Sequence, residues 1–313
     1  MTGSQVYIVS GCRTAIGSFQ GQFEKFSAAD LGTIAIAEAI KRATLKPEDI
    51  EQVIMGQVLT AGQGQNPARQ SALQAKIPVS SPAYVINMLC GSGLKHLQLI
   101  GIQKTLNADG VWRMRRLLLT SSQNVQQGLG ERYLGGSVLN PEDVKSIQPR
   151  KLCTFAKELR GGQESMSRAQ HSTYLRGSKL GHLNLSDTLI SDGLTDAFNN
   201  IHMGNTAEHL AKKYNISREA QDEYSCNSQI KVEKATQNNF FDKEIVGVPD
   251  KRTGKLINKD EFPKPGTTIQ NLSKLRPCFE SSGTVTAGNA SGKTVFNSYC
   301  SRYSYFFLPE SKQ

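Results

Sequence analysis

A single thiol, Cys90, stands where the apolar run Val85-Ile86-Asn87-Met88-Leu89 gives way to the glycine-rich turn Gly91-Ser92-Gly93. Downstream, Leu94, Leu97, Ile100 and Leu106 recur at helical intervals, so Cys90 is predicted to sit at a strand-to-helix turn. Gly91 and Gly93 allow the sharp bend, and the new helix aims its free N–H groups and positive dipole end at the sulfur. That setting is expected to raise the thiolate fraction and makes Cys90 a candidate nucleophile. A nucleophile of this kind needs a base within about 3 Å. His96, six residues further on, lies about 9 Å along the helix and about 120° around it, out of reach. The remaining histidines, His171, His182, His202 and His209, are far away in sequence.

The surrounding segments alternate strand and helix signals, which predicts an α/β fold. VYIVS, residues 6–10, reads as a strand. Ser27 with Asp30 three residues later opens a helix over 28–43, which ends before Pro47. Residues 51–59 return as a strand, 66–77 form a helix around Pro67, and 83–89 read as a strand buried on both faces. Further helices are predicted over 202–215 and, behind a Ser217 cap, over 218–237. Residues 250–266 read as a polar hairpin or loop, and GTVTAGNASG, residues 283–292, is rich in turns. Between 107 and 160 neither period persists, apart from a short amphipathic helix over 141–147. That stretch carries Trp112 and a basic knot at Arg113, Arg115 and Arg116.

Composition narrows the function classes. The chain has 313 residues, 38% of them hydrophobic and 20% charged, values of a soluble globular protein. No apolar run approaches the roughly eighteen residues of a membrane span, and the N-terminus lacks a secretory or mitochondrial pattern. A cytoplasmic protein with no membrane partner is expected. Six cysteines lie far apart without a CxxC pair or a histidine at ligand spacing, so they are expected to be free thiols and no metal site is predicted. The net charge of +10 is scattered and not interleaved with aromatic residues, which argues against a nucleic-acid partner. What it does fit is a solvated surface, with a phosphate-bearing cofactor as the next reading.

Six blocks carry more than a fold class: NMLCGSGLK, GQNPARQ, GGQESMS, DGLTDAFNNIHMGNTAEHLAKKY, SREAQD and GTVTAGNASG. Together, and in this order, they resemble the thiolase family, most closely its cytosolic branch that acts on acetyl-CoA. The resemblance covers about residues 5–106 and 161–292. It implies a first half-domain with a mixed sheet between helices over 1–106, an atypical insert over 107–160, a loop domain and return segment over 161–292, and an unrelated tail over 293–313.

The family reaction implied is acyl transfer to Cys90 from one acyl-CoA. Condensation with a second acetyl-CoA then gives acetoacetyl-CoA, a step of lipid metabolism. By the same resemblance Leu194, His202 and Met203 line the pantetheine path, and Ala287 and Ser291 hydrogen-bond that arm. Coenzyme A thioesters are then substrates, with no permanently bound cofactor. The family's second half supplies an Asn-Glu-Ala-Phe loop, a Gly-His-Pro loop and a second cysteine, and none of these motifs occurs here. The expectation is a chain without its C-terminal half and without its base. The alternatives are a non-catalytic acyl-CoA- or subunit-binding variant and an unstable product of aberrant splicing. The apolar helix face with Leu94, Leu97, Ile100 and Leu106 is expected to lack its partner and to associate with an intact thiolase subunit or a second copy.

Overall fold

A computed structural model describes residues 10–92, 158–173 and 180–292, with the backbone of Thr294–Val295. Its organising element is strand β3 (Gln52–Gly56), whose Val53, Ile54 and Met55 are fully buried. Strand β4 (Ala83–Ile86) pairs with it in parallel, Val53 opposite Ala83 and Met55 opposite Val85. Strand β5 (Glu158–Gly162) pairs in parallel on the other side, Gln52 opposite Glu158 and Gly56 opposite Gly162. Parallel neighbours require crossover connections, and helix α2 (Pro67–Gln74) supplies the one between β3 and β4.

Helix α1 (Ala28–Arg42) begins where the sequence predicts. Ser27 Oγ accepts from the Asp30 amide and the Asp30 side chain accepts from the Ser27 amide, a capping box. Its Ala35, Ile36, Ala39 and Ile40 pack with Ala68 and Ala72 of α2, Val53 and Met55 of β3, and Leu159 of β5 in one core. Alanine at the facing positions lets the two helices approach closely over the sheet.

The rest of the chain is built from short pieces around helices α3 (Thr188–Gly193), α4 (Met203–Lys213), α5 (Arg218–Gln237) and α6 (Ile269–Ser273). Helix α5 starts behind the predicted Ser217 cap, whose hydroxyl accepts from the Ala220 amide. The polar stretch expected over 250–266 holds the turn and second strand of an antiparallel pair, Leu256–Ile257, whose first strand Val248–Pro249 lies just before it.

These segments return to the N-terminal part at strand β1 (Arg13–Thr14), which runs parallel to Ile245–Val246. Arg13 is buried there. Its Nε donates to Glu244 at 2.6 Å, and its two terminal nitrogens donate to Asp260 at 2.7 and 2.8 Å. Asp260 also accepts from the Ile16 amide at 2.8 Å, and Glu261 from the Ser18 amide at 2.8 Å.

Three expectations change. Strand β4 is half-exposed, with Tyr84 open to solvent, and not buried on both faces, because no described element covers its outer face; among the described residues it is an edge in the order β4-β3-β5. Strand β5 begins at Glu158, inside the stretch read as an atypical insert, and its Leu159 and Arg160 are fully buried. Thr294–Val295, read as part of an unrelated tail, pair antiparallel with strand β2 (Gly17–Ser18). The strand predicted over 6–10 falls outside the described residues apart from Ser10, as do the helix over 141–147, the helix face from Leu94 to Leu106, and the tail beyond 295.

Replacing Arg13 by methionine leaves the Asp260 carboxylate, only 11% exposed in its side chain, without its cation. Equilibrium urea unfolding is expected to show a loss of about 3–5 kcal/mol. Lys41→Ala, which removes an 81% exposed partner of Glu38, is expected to shift the midpoint immeasurably.

Candidate active site

The turn that carries Cys90 is closed largely by its own backbone and one hydroxyl. Strand β4 ends at Ile86, whose carbonyl accepts the Gln57 amide at 3.0 Å. Asn87 Oδ1 then accepts the Leu89 amide at 2.9 Å. The amides of Gly91 and Ser92 donate back to the carbonyls of Met88 and Leu89 at 3.0 and 2.9 Å. Ser92 Oγ accepts from the Met88 amide at 2.8 Å and donates to the Leu89 carbonyl at 2.7 Å. Leu89 adopts φ +48°, a left-handed backbone unusual for a residue with a Cβ.

Close packing against β3 fixes the turn from below. A Cβ on Gly56 would lie 2.7 Å from the Ser92 carbonyl carbon and oxygen, so glycine is required there. The Cys90 thiol is exposed. The predicted strand-to-turn transition is present, and helical backbone begins at Ser92, the last described residue of the segment. Among the described residues no histidine or carboxylate hydrogen-bonds the thiol, and His96 lies outside them.

A polar layer lies at the same end of the sheet. Glu164, nine-tenths buried, accepts the Val58 amide at 2.7 Å and the Leu59 amide at 3.3 Å. Beside it Gln163 Nε2 donates to Gln57 Oε1 at 2.9 Å, and Gln163 Oε1 accepts from Ser71 Oγ at 2.7 Å. Burial drives the Glu164 carboxyl up to about 7, and the amides of Val58, Leu59 and Ser165 offset it only in part. The sequence reading singled out GGQESMS as a block without assigning this carboxylate a role.

The five other candidate residues gather around helix α4. Thr195–Asp196 pairs antiparallel with Ile201–His202, and the Met203 amide donates to the Leu194 carbonyl at 2.8 Å. Leu194, His202 and Met203 thus share one small corner. His202 caps α4, its Nδ1 accepting the Gly204 amide at 2.9 Å, which leaves Nε2 to carry the proton. Its ring stacks on Phe279 with centroids 5.0 Å apart and planes at 24°. Ala287 and Ser291 are exposed on the following loop. That loop is tied to α4 by Glu208, which accepts from the amides of Thr284 and Val285 at 2.8 Å each and from the Thr284 hydroxyl at 2.9 Å.

Sequence reasoning missed Glu208, Asp222, Asn289 and Phe279. The available signal was a charged residue on the apolar stripe of α4, since Glu208 is buried on the same face as Ala211. Among the described residues no hydrogen bond or ring contact links Cys90 to the α4 corner. No group of three metal-ligating side chains occurs among them, and no described helix is long and apolar enough to cross a membrane.

A profile described as "Thiolase, N-terminal domain" matches residues 6–105 and 155–294, leaving the stretch between them unmatched. The chain belongs to the thiolase family. It is 41% identical over 292 residues to an acetyl-CoA acetyltransferase of Thiocystis violacea, covering 92% of this chain and 62% of the relative. The cytosolic acetyl-CoA acetyltransferase of Rattus norvegicus is also 41% identical over 292 residues, with 92% and 62% covered. A probable acetyl-CoA acyltransferase of Staphylococcus aureus is 39% identical over 296 residues, with 92% and 63% covered. This thiolase chain therefore spans a little under two thirds of the length of these relatives.

The raised value of Glu164 sets a sign for pH dependence. An acid whose folded value lies above its ordinary 4.5 holds its proton more tightly in the folded chain. Its contribution to stability is complete below about 4.5 and is lost as pH rises through about 7. Glu164→Gln, which mimics the protonated form, is expected to remove about 3 kcal/mol of this pH-linked loss, read as the difference between the two chains' unfolding free energies from pH 4.5 to 8.

Proposed function

We propose that this thiolase chain takes an acetyl group from acetyl-CoA onto Cys90, in the manner of the acetyl-CoA acetyltransferases it is similar to. The observation that carries the reading is the exposed Cys90 thiol at the tip of a turn fixed by Ser92 and Gly56. In this step Cys90 Sγ adds to the thioester carbonyl, coenzyme A leaves as thiolate, and the cysteine's proton passes to it. Leu194, His202, Met203, Ala287 and Ser291 hold the coenzyme arm. His202, fixed as an Nε2 donor by its bond to the Gly204 amide, is suited to a carbonyl or hydroxyl acceptor on that arm.

Condensation with a second acetyl-CoA is a different demand, because a base must remove a methyl proton. None of the five histidines precedes proline, and the described residues bring no base to the Cys90 thiol. The described residues are accordingly equipped for coenzyme binding and acyl acceptance, and the base for condensation is not among them. The chain works in the cytoplasm, in lipid metabolism, on soluble acyl-CoA, and associates with a second copy or with an intact thiolase subunit.

Calorimetry is expected to show coenzyme A binding with single-site stoichiometry, and a chain that takes up no coenzyme overturns the reading. Acetoacetyl-CoA cleavage is expected below about 1% of a full-length relative's rate, since a positioned acid–base group contributes roughly 10²–10⁴-fold. Competitive alkylation followed by peptide mapping is expected to label Cys90 ahead of Cys12 and Cys226, which are buried.

A further inference from the structure

Two buried carboxylates converge on the loop that bears Ala287 and Ser291. Glu208, 1% exposed on α4, receives the Thr284 amide at 2.8 and 2.9 Å on its two oxygens, the Val285 amide at 2.8 Å and the Thr284 hydroxyl at 2.9 Å. Asp222, 1% exposed on α5, receives Arg218 Nε at 2.7 Å and Asn289 Nδ2 at 2.9 Å. Asn289 also donates to the Thr284 carbonyl at 3.0 Å and accepts the Thr286 amide at 2.7 Å. Residues 284–289 are thus held at one end by α4 and at the other by α5.

We infer that Glu208, with Asn289 and Asp222, is a positioning residue that holds the 284–291 loop in the shape that receives the arm of coenzyme A. The inference rests on the coenzyme reading above. Helix α4 makes the link physical, because its N-terminal cap is His202 and its Glu208 lies about 9 Å further along the rod. One rigid helix therefore sets the spacing between the imidazole corner and the loop. A carboxylate suits the task better than an amide, since both oxygens accept and four donor contacts converge on them. Closeness is built in as well. A Cβ on Gly283 would fall 2.2 Å from Glu208 Oε1 and 2.8 Å from its carboxyl carbon, so any side chain there displaces the carboxylate.

The test compares Glu208→Gln and Gly283→Ala with the unmodified chain by calorimetry, using whole coenzyme A and, separately, its adenosine bisphosphate half. A loop that positions only the pantetheine arm predicts roughly tenfold or greater loss for the whole coenzyme in both variants, with unchanged affinity for the nucleotide half. Equal loss for both ligands, or unchanged affinity for coenzyme A, overturns the inference while leaving coenzyme binding by the unmodified chain intact. Failure of the unmodified chain to bind overturns the coenzyme reading and this inference with it. Hydrogen exchange on the unmodified chain tests the clamp without any variant. The Thr284 and Val285 amides are expected to be protected before coenzyme is added, and free exchange in the absence of ligand refutes preorganisation.

Discussion

Parallel pairing on both sides of β3 is the constraint from which the candidate site follows. Because β3, β4 and β5 run the same way, their C-terminal ends emerge together, and the segments leaving them are forced into one neighbourhood. Those segments are Gln57–Leu59, Asn87–Cys90 and Gln163–Glu164, which carry the thiol, the buried carboxyl and the amide network between them. Open α/β sheets hold their chemistry at this end for the same reason. The burial of Val53, Ile54 and Met55 is thus more than core packing, since it fixes which loops can meet.

Around this frame the carboxylates divide by what they accept. Asp260 meets a guanidinium and joins two distant segments of chain. Glu208 meets backbone amides, and burial, which works against its charge, is outweighed by those donors, so its carboxyl stays below the usual value. Glu164 also accepts backbone amides, yet there burial wins. The same side chain type therefore acts as an ion partner, a fixed anion or a group poised to titrate, according to the balance between desolvation and donors.

Much of the local structure was legible because the relevant physics is local. Ser27 with Asp30 and the Ser217 cap announce two helices whose observed starts are those expected. The turn at Cys90 was readable from its glycines. The edge position of β4 was not, because an apolar strand reads alike whether one neighbour or two lie beside it, and strand order is a property of the whole sheet. Nor were the partners of Glu208 and Asn289, which depend on residues brought together across 76 and 67 positions of chain. Family resemblance pointed to the loop with Ala287 and Ser291, and only coordinates revealed what holds it.

The salt bridge of Arg13 has a consequence in time. Its partner Glu244 lies 231 residues further along the chain, and among the described residues β1 has no mate until that segment exists. At synthesis rates of roughly 5–20 residues per second, β1 waits about 10–50 s for this neighbour. Over that interval a buried arginine and an unpaired strand edge stand open to other chains. Strand β1 is thus completed only once Ile245–Val246 has been made, so its exposure during translation is set by separation along the chain and not by the strength of the final salt bridge.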